Sequence, residues 1–114
     1  MPAARDDYLL RQIQLAAAAL QRLIARVGNG ELSDTVVVDI RAAIAALLGP
    51  NSPLLERLDA RSAANLVGDP ERVQLWSQLL ALQAESQRHA SQDTIADALA
   101  ARARALAAFG QHST

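Results

Sequence analysis

Apolar residues recur at helical spacing near the N terminus. Over residues 7–27 they alternate at steps of four and three along the chain. The members of this face are Leu9, Ile13, Ala16, Leu20, Leu23 and Val27. The pattern predicts a helix with one face towards a core, and Gly28-Asn29-Gly30 predicts its end.

This first helix is apolar on more than one side. Leu10, Ala17 and Ile24 widen the main face, and Tyr8, Leu15 and Ala19 form a second strip. Two interpretations are open: other helices bury this one from several directions, or part of it contacts a second copy of the chain. For the second interpretation the candidate interface residues are Leu9, Ile13, Leu20, Ile24 and Trp76.

Residues 34–48 are predicted to form a second helix. Its apolar residues at helical spacing are Val37, Ile40, Ile44 and Leu47. Residues 35–38 are Thr-Val-Val-Val, a β-branched run that locally favours a strand. We favour helix because no other segment offers a partner strand. Ser33 is the predicted N-cap, and Gly49-Pro50 ends the helix.

The next segment, residues 53–67, is predicted to hold short helices that connect the longer ones. Ser52 is the expected cap, with Pro53 at the first helical position, where its missing N–H costs nothing. Asp59 is expected to cap a second short piece.

The C-terminal part is predicted to be a pair of long helices over residues 70–89 and 92–109. Asp69-Pro70 opens the first, and Ser91 is the expected cap of the second. The first carries two apolar lines, Val73, Trp76, Leu80 and Ala84 beside Leu75, Leu79 and Leu82. The second carries two stripes, Ile95, Leu99 and Leu106 beside Ala96, Ala100, Ala103 and Ala107. The short link makes the two helices antiparallel.

Composition narrows the classes of protein. With 114 residues and 51% hydrophobic content, the chain is expected to form one all-α domain, residues 1–114, as a bundle of four to five helices. It has no cysteine, which excludes a disulfide framework and thiol chemistry. A net charge of −1 with 3% aromatic residues argues against a nucleic-acid partner. Neither a signal peptide nor a membrane span is predicted, so we expect a cytoplasmic protein.

The last two helices are similar to a tetratricopeptide unit. In that family the second helix carries small residues at an A-x3-[aromatic]-x2-A spacing, which Ala96, Ala100 and Ala103 match in position. The aromatic positions of the family fall on Gln87 and Ala100 here. The resemblance implies a closely packed antiparallel hairpin at the C-terminal end of the fold, although a complete array needs about three such units.

A second resemblance covers more of the chain. Asp7-Tyr8-Leu9-Leu10-Arg11-Gln12-Ile13, with the later Gly68-Asp69-Pro70-Glu71-Arg72 and Leu79-Leu80, resembles a family of small uncharacterised bacterial proteins known only as a domain of unknown function. Its members begin with a D-Y-[LI]-[LM]-R-x-I helix and end in a tetratricopeptide-like pair. The resemblance implies an all-helical intracellular protein and supplies no activity.

Candidate catalytic residues are few. Ser86, His89 and Asp93 follow one another at about one helical turn, but helix-spaced residues lack an oxyanion loop and a strained nucleophile turn. We therefore expect His89 to be a solvated residue. His89 and His112 are the only histidines, so no zinc or di-iron site is predicted, and no cofactor.

Most charged residues have structural interpretations. Aspartates at predicted helix starts are expected to act as caps or dipole partners: Asp6, Asp7, Asp34, Asp59, Asp69 and Asp93. Two arginine pairs are expected on outer, solvated faces: Arg22 with Arg26 and Arg102 with Arg104. Glu85 and Arg88 are expected to form a surface ion pair.

These patterns predict helix packing rather than a reaction. We expect a non-catalytic protein-interaction or assembly module that self-associates as a homodimer; its other protein partner is not identified by the sequence. Trp76 is favoured as a core anchor over an interface residue. The alternative function is a bundle that binds an apolar or amphipathic small ligand between its helices.

Overall fold

Six α-helices make up the part of the chain that this computed structural model describes, residues 3–112. They are α1 (Ala3–Gly28), α2 (Ser33–Leu48), α3 (Ser52–Arg57), α4 (Ala60–Val67), α5 (Pro70–His89) and α6 (Asp93–His112), with a 3₁₀ turn at Gly49–Asn51. Side chains are described for residues 7–109, so those of Asp6 and His112 lie outside them. The all-α class is confirmed, and residues 35–38 are helical.

The long first helix buries one face against the rest of the chain. Its 26 residues begin at Ala3, further towards the N terminus than the apolar pattern indicated. The buried residues are Ile13, Ala16, Leu20, Leu23 and Val27. These are members of the predicted face, because a step of four and three residues keeps side chains on one side of a helix.

Helix α2 begins without the predicted cap. Ser33 is its first residue, and Leu32 precedes it with no side-chain cap hydrogen bond, so the prediction for Ser33 was wrong. Ile40, Ile44 and Leu47 are buried as predicted, but the first buried residue of the stripe is Val36, and Val37 is only half-buried. Gly49 ends the helix with a φ of 78°, a left-handed conformation that favours glycine.

The connector between α2 and α5 consists of two short helices. They separate at Leu58, whose backbone is extended, and Asp59 then accepts a hydrogen bond from the Ser62 amide at 3.1 Å. The predicted cap at Asp59 is therefore confirmed. Ser52 is the first residue of α3 rather than its cap, and Asn51 before it makes no side-chain cap bond.

Helices α5 and α6 form a closely packed hairpin. Asp69 Oδ1 accepts the amides of Glu71 at 2.9 Å and Arg72 at 3.0 Å, which confirms the predicted start of α5. The reversal occurs at Ser91, where φ is 62°. Ser91 is therefore a turn residue and not the cap of α6, which begins at Asp93.

Small residues bring the two helices of this hairpin together. Ala96 and Ala103 of α6 are buried. The hydroxyl of Ser77 on α5 donates a hydrogen bond to the carbonyl of Ala103 at 2.7 Å, so the backbone of α6 lies within reach of a short side chain. A serine in this position binds the helices together without leaving a buried polar group unsatisfied.

A single cluster of apolar side chains joins α1, α2 and α5, and α6 and α4 close it from the other side. Its largest fully buried members are Trp76, Ile40, Ile44, Leu47, Leu79 and Leu106. The helices form an elongated body of 47 × 25 × 24 Å. No helix in the described part of the chain is both long enough and apolar enough to cross a membrane.

Candidate interaction surface

The five candidate interface residues occupy different environments in the fold. Ile13 and Leu20 are buried in the chain's own core, and Trp76 is only 1% exposed. Leu9 is half-buried and packs against the same core. Ile24 is 46% exposed, so it alone of the five presents nearly half of a large apolar side chain to another molecule.

An uncharged strip runs along the exposed side of α1 next to Ile24. Its members, which we call the α1 flank, are Leu10, Gln14, Ala17, Gln21, Ile24 and Gly28. They follow one another at steps of four and three, so they lie on one line along the helix. Leu10 is 51% exposed, and Ala17 between it and Ile24 is half-buried.

A shallow groove borders this flank, between α1 and α5. It has a volume of about 580 Å³, and its floor contains Leu20 of α1 with Leu75 and Leu82 of α5. Among its described lining residues only Glu85 carries a charge. The groove and the α1 flank thus form one largely uncharged surface, as expected for the centre of a protein interface.

The opposite side of α1 is occupied by contacts within the chain. Arg26 donates to Glu31 through Nε at 2.9 Å and to Asp39 of α2 through Nη1 at 2.6 Å. The hydrogen bond from Arg26 holds the pKa of Glu31 below its ordinary value, and the same contacts raise the pKa of Arg26. Arg26 therefore joins the two helices rather than lying free on a solvated face.

The serine, histidine and aspartate noted at the end of α5 are not assembled into a catalytic set. Ser86 is buried, whereas His89 and Asp93 are exposed near the tip of the hairpin. Within the described residues there is no group of three histidines, cysteines or acidic residues that could hold a metal ion.

Arg102 departs most from the sequence-based prediction. Instead of lying outside, it donates to the carbonyls of Leu58 at 2.8 Å and Leu55 at 2.9 Å, and its guanidinium carbon lies 5.2 Å from the centre of the Trp76 ring. Burial lowers the pKa of Arg102. The prediction was wrong because carbonyls at a helix end can accept further hydrogen bonds, and an arginine at the edge of an apolar stripe can reach those of Leu55 and Leu58. Arg104 is exposed, as expected.

The predicted surface ion pair on α5 was also wrong. Arg88 pairs with Asp97 of α6 at 3.0 Å and makes no ion pair with Glu85 among the described side chains. Helical spacing within α5 gave no information about Asp97, which approaches across the hairpin. Both residues are exposed, so this pair contributes little to stability.

Comparison with known proteins does not assign this surface. No protein-family profile, curated protein or solved structure gives a significant match to the chain.

Proposed function

We propose that this chain is a non-catalytic protein-interaction or assembly module that self-associates through helix packing. The observation that carries the proposal is the α1 flank, where Leu10 and Ile24 are each about half exposed on an uncharged line of the longest helix. Apolar area of this kind is removed from water when another helix packs on it.

A second copy of the chain is the occupant that fits this flank. Leu10 and Ile24 lie seven residues before and seven residues after Ala17. A two-fold axis at Ala17 with antiparallel α1 helices therefore sets each Leu10 against the Ile24 of the other copy. A two-fold contact uses the same patch on both copies, so a patch that is symmetric about a small residue is self-complementary.

Electrostatics supports contact between identical chains. The net charge is −1, so two copies repel each other only weakly. The α1 flank contains no charged residue, and Gln14 and Gln21 can form hydrogen bonds with their counterparts without the cost of burying a charge. Side chains of the second copy can also pack against the leucines that line the neighbouring groove.

The finer structural class is part of the same proposal. The close packing of α5 and α6 at Ala96 and Ala103 supports a tetratricopeptide-like hairpin, in which small residues admit a neighbouring helix. The relationship to the bacterial family of unknown function stays a prediction. A cytoplasmic location is proposed because a chain with no cysteine fits a reducing compartment.

The experiment is a measurement of molar mass by light scattering during size exclusion, over a range of protein concentrations. We expect a mass that rises to twice the 12.1 kDa of one chain. Ile24→Glu introduces a charge into the α1 flank and should give a helical monomer. Leu66→Glu is the matched control, because Leu66 is 64% exposed on α4, away from the flank.

Two results would contradict the proposal. One is a strict monomer at high micromolar concentration for the unmodified chain. The other is a dimer that Ile24→Glu leaves intact, since the contact would then lie elsewhere on the molecule. Circular dichroism of both variants shows whether a loss of mass reflects dissociation or unfolding.

A further inference from the structure

A second concave site lies at the other end of α1, away from the groove described above. It is a cleft of about 520 Å³ where the N-terminal part of α1 meets the end of α2 and the start of α5. Its apolar lining residues include Leu9, Leu47, Leu48, Pro50 and Val67. Its size is in the range of small-molecule sites, which are mostly apolar with a few converging polar groups.

Arg72 supplies the distinctive polar group of this cleft. Its side chain is partly buried and donates through Nη2 to the carbonyl of Leu47 at 2.8 Å. Its Nε is buried and has no hydrogen-bond partner. Among the side chains that the structure describes, Arg72 forms no ion pair.

The acidic neighbours of Arg72 form no ion pair with its guanidinium in the described part of the chain. Asp69 also lines the cleft, but its Oδ1 already accepts the amides of Glu71 and Arg72 at the start of α5. The start of a helix carries partial positive charge, so a cation there is unfavourable. A partly desolvated, unpaired charge is costly to stability unless an opposite charge approaches it.

We propose that this cleft binds a small amphipathic monocarboxylate. The carboxylate pairs with Nη1 of Arg72, the guanidinium nitrogen that is neither buried without a partner, like Nε, nor bonded to Leu47, like Nη2. The apolar body of the ligand lies against Leu9, Leu47 and Val67. Tyr8 also lines the cleft, with an exposed side chain, and its hydroxyl is a second hydrogen-bond donor that the ligand can use.

The carboxylate of Asp69 in the same lining favours a ligand with one negative charge over a ligand with two. Arg72 is the single basic residue among the described lining residues, and Asp69 is the single acidic one. A dianion such as a phosphate ester would leave one charge unpaired beside Asp69. A cation would face Arg72 and the positive end of α5.

The test is a titration followed by amide chemical shifts in NMR, with octanoate as the probe and octan-1-ol and octylamine as comparison compounds. We expect saturable shifts for octanoate at Gly49 and Gly68, which line the cleft. Octanol should bind about tenfold more weakly, because it lacks the charge that pairs with Arg72. Octylamine should bind at least as weakly as octanol.

A pair of matched variants locates the site. Ala46 lines the cleft and is exposed, whereas Ala45 is exposed next to it on α2 and does not line the cleft. Ala46→Phe should abolish octanoate binding, and Ala45→Phe should leave it unchanged. Arg72→Gln should weaken binding about tenfold, the equivalent of one charge-assisted hydrogen bond.

Several outcomes would overturn the proposal: no saturation with octanoate, equal binding of octanol, or equal effects of the two alanine variants. If Arg72→Gln destabilises α2 by removing the hydrogen bond to Leu47, the comparison of Ala46→Phe with Ala45→Phe still shows whether octanoate binds in the cleft. The titration repeated with Ile24→Glu should give the same result, because the cleft does not include the α1 flank. A chain that does not bind octanoate would therefore not contradict self-association through the α1 flank. A monomeric chain would likewise not contradict octanoate binding in the cleft.

Discussion

The guanidinium of Arg102 on α6 lies over the indole ring of Trp76 on α5, 5.2 Å from the ring centre. From there it reaches the carbonyl of Leu55, in the last turn of α3, and the carbonyl of Leu58, just after that helix. One side chain thus joins the hairpin, the core tryptophan and the connector. The connector helices are too short to be stable alone, so contacts of this kind hold them in place.

Arg102→Gln is predicted to destabilise the fold by about 2 kcal/mol, because it removes a cation–π contact and charge-assisted hydrogen bonds to two carbonyls. Urea unfolding measures the loss. Trp76 is the only tryptophan, so its fluorescence should change in the folded state of the variant as well. Arg104→Gln is the control: that side chain is exposed, and its loss should cost less than about 0.5 kcal/mol. Equal losses for the two variants would contradict the role of Arg102.

Features that depend on neighbours in the chain were predictable from the sequence. Asp59 and Asp69 cap α4 and α5 because each needs only the amides two or three residues ahead. Ser33 and Ser91 satisfied the same local rule and yet do not cap. Ser91 takes up a left-handed conformation because the chain must reverse there, a requirement set by the packing of α5 on α6.

Contacts between distant segments were not predictable from helical periodicity. Periodicity places Arg102 at the edge of an apolar stripe, but it does not show that α3 ends nearby, where the carbonyls of Leu55 and Leu58 accept its hydrogen bonds. It identified the face of α1 that meets the core, but it could not show whether a second copy of the chain also covers part of that face. Ile13, Leu20 and Ile24 were therefore all predicted as candidate interface residues. In the fold, Ile13 and Leu20 are buried in the core, whereas Ile24 is exposed.

Leu20 and Ile24 form a matched pair for this distinction. Leu20→Asp places a charge at a position that is 5% exposed and should cost on the order of 4 kcal/mol, enough to unfold a marginal domain. Ile24→Asp places the same charge one helical turn away on the surface and should leave the helical circular dichroism unchanged. A folded Leu20→Asp variant would show that α1 packs differently from the arrangement described.

The Arg26 and Glu31 pair predicts a dependence of stability on pH. The hydrogen bond from Arg26 lowers the pKa of Glu31 below its ordinary value of 4.5. Its contribution to folding is therefore complete above that value and is lost as the pH falls through the lower pKa of the folded state. The difference in melting temperature between the unmodified chain and Glu31→Gln should shrink between about pH 7 and about pH 3.

A double-mutant cycle assigns this effect to the pair. In an Arg26→Gln background the stabilisation from Glu31 should no longer be lost as the pH falls, because the partner that lowers the pKa is absent and the remaining influences, burial and Asp39, raise it. A loss of the same sign in that background would mean that another group lowers the pKa of Glu31. Other acidic groups with lowered pKa values, such as Asp59, are common to both proteins and cancel in the comparison.

Reciprocal charges test the geometry of the proposed dimer. If the two-fold axis passes through Ala17, Leu10 of one copy lies against Ile24 of the other. Leu10→Glu and Ile24→Arg should each give a monomer, because each sets an isolated charge against an apolar side chain. The double variant Leu10→Glu/Ile24→Arg should dimerise again, since opposite charges then meet twice in each dimer.

Leu10→Glu/Ile24→Glu should stay monomeric and serves as the control for the sign of the charge. Light scattering reports the mass of all four variants. A double variant of opposite charges that stays monomeric and helical would exclude this antiparallel pairing, even if the unmodified chain is a dimer.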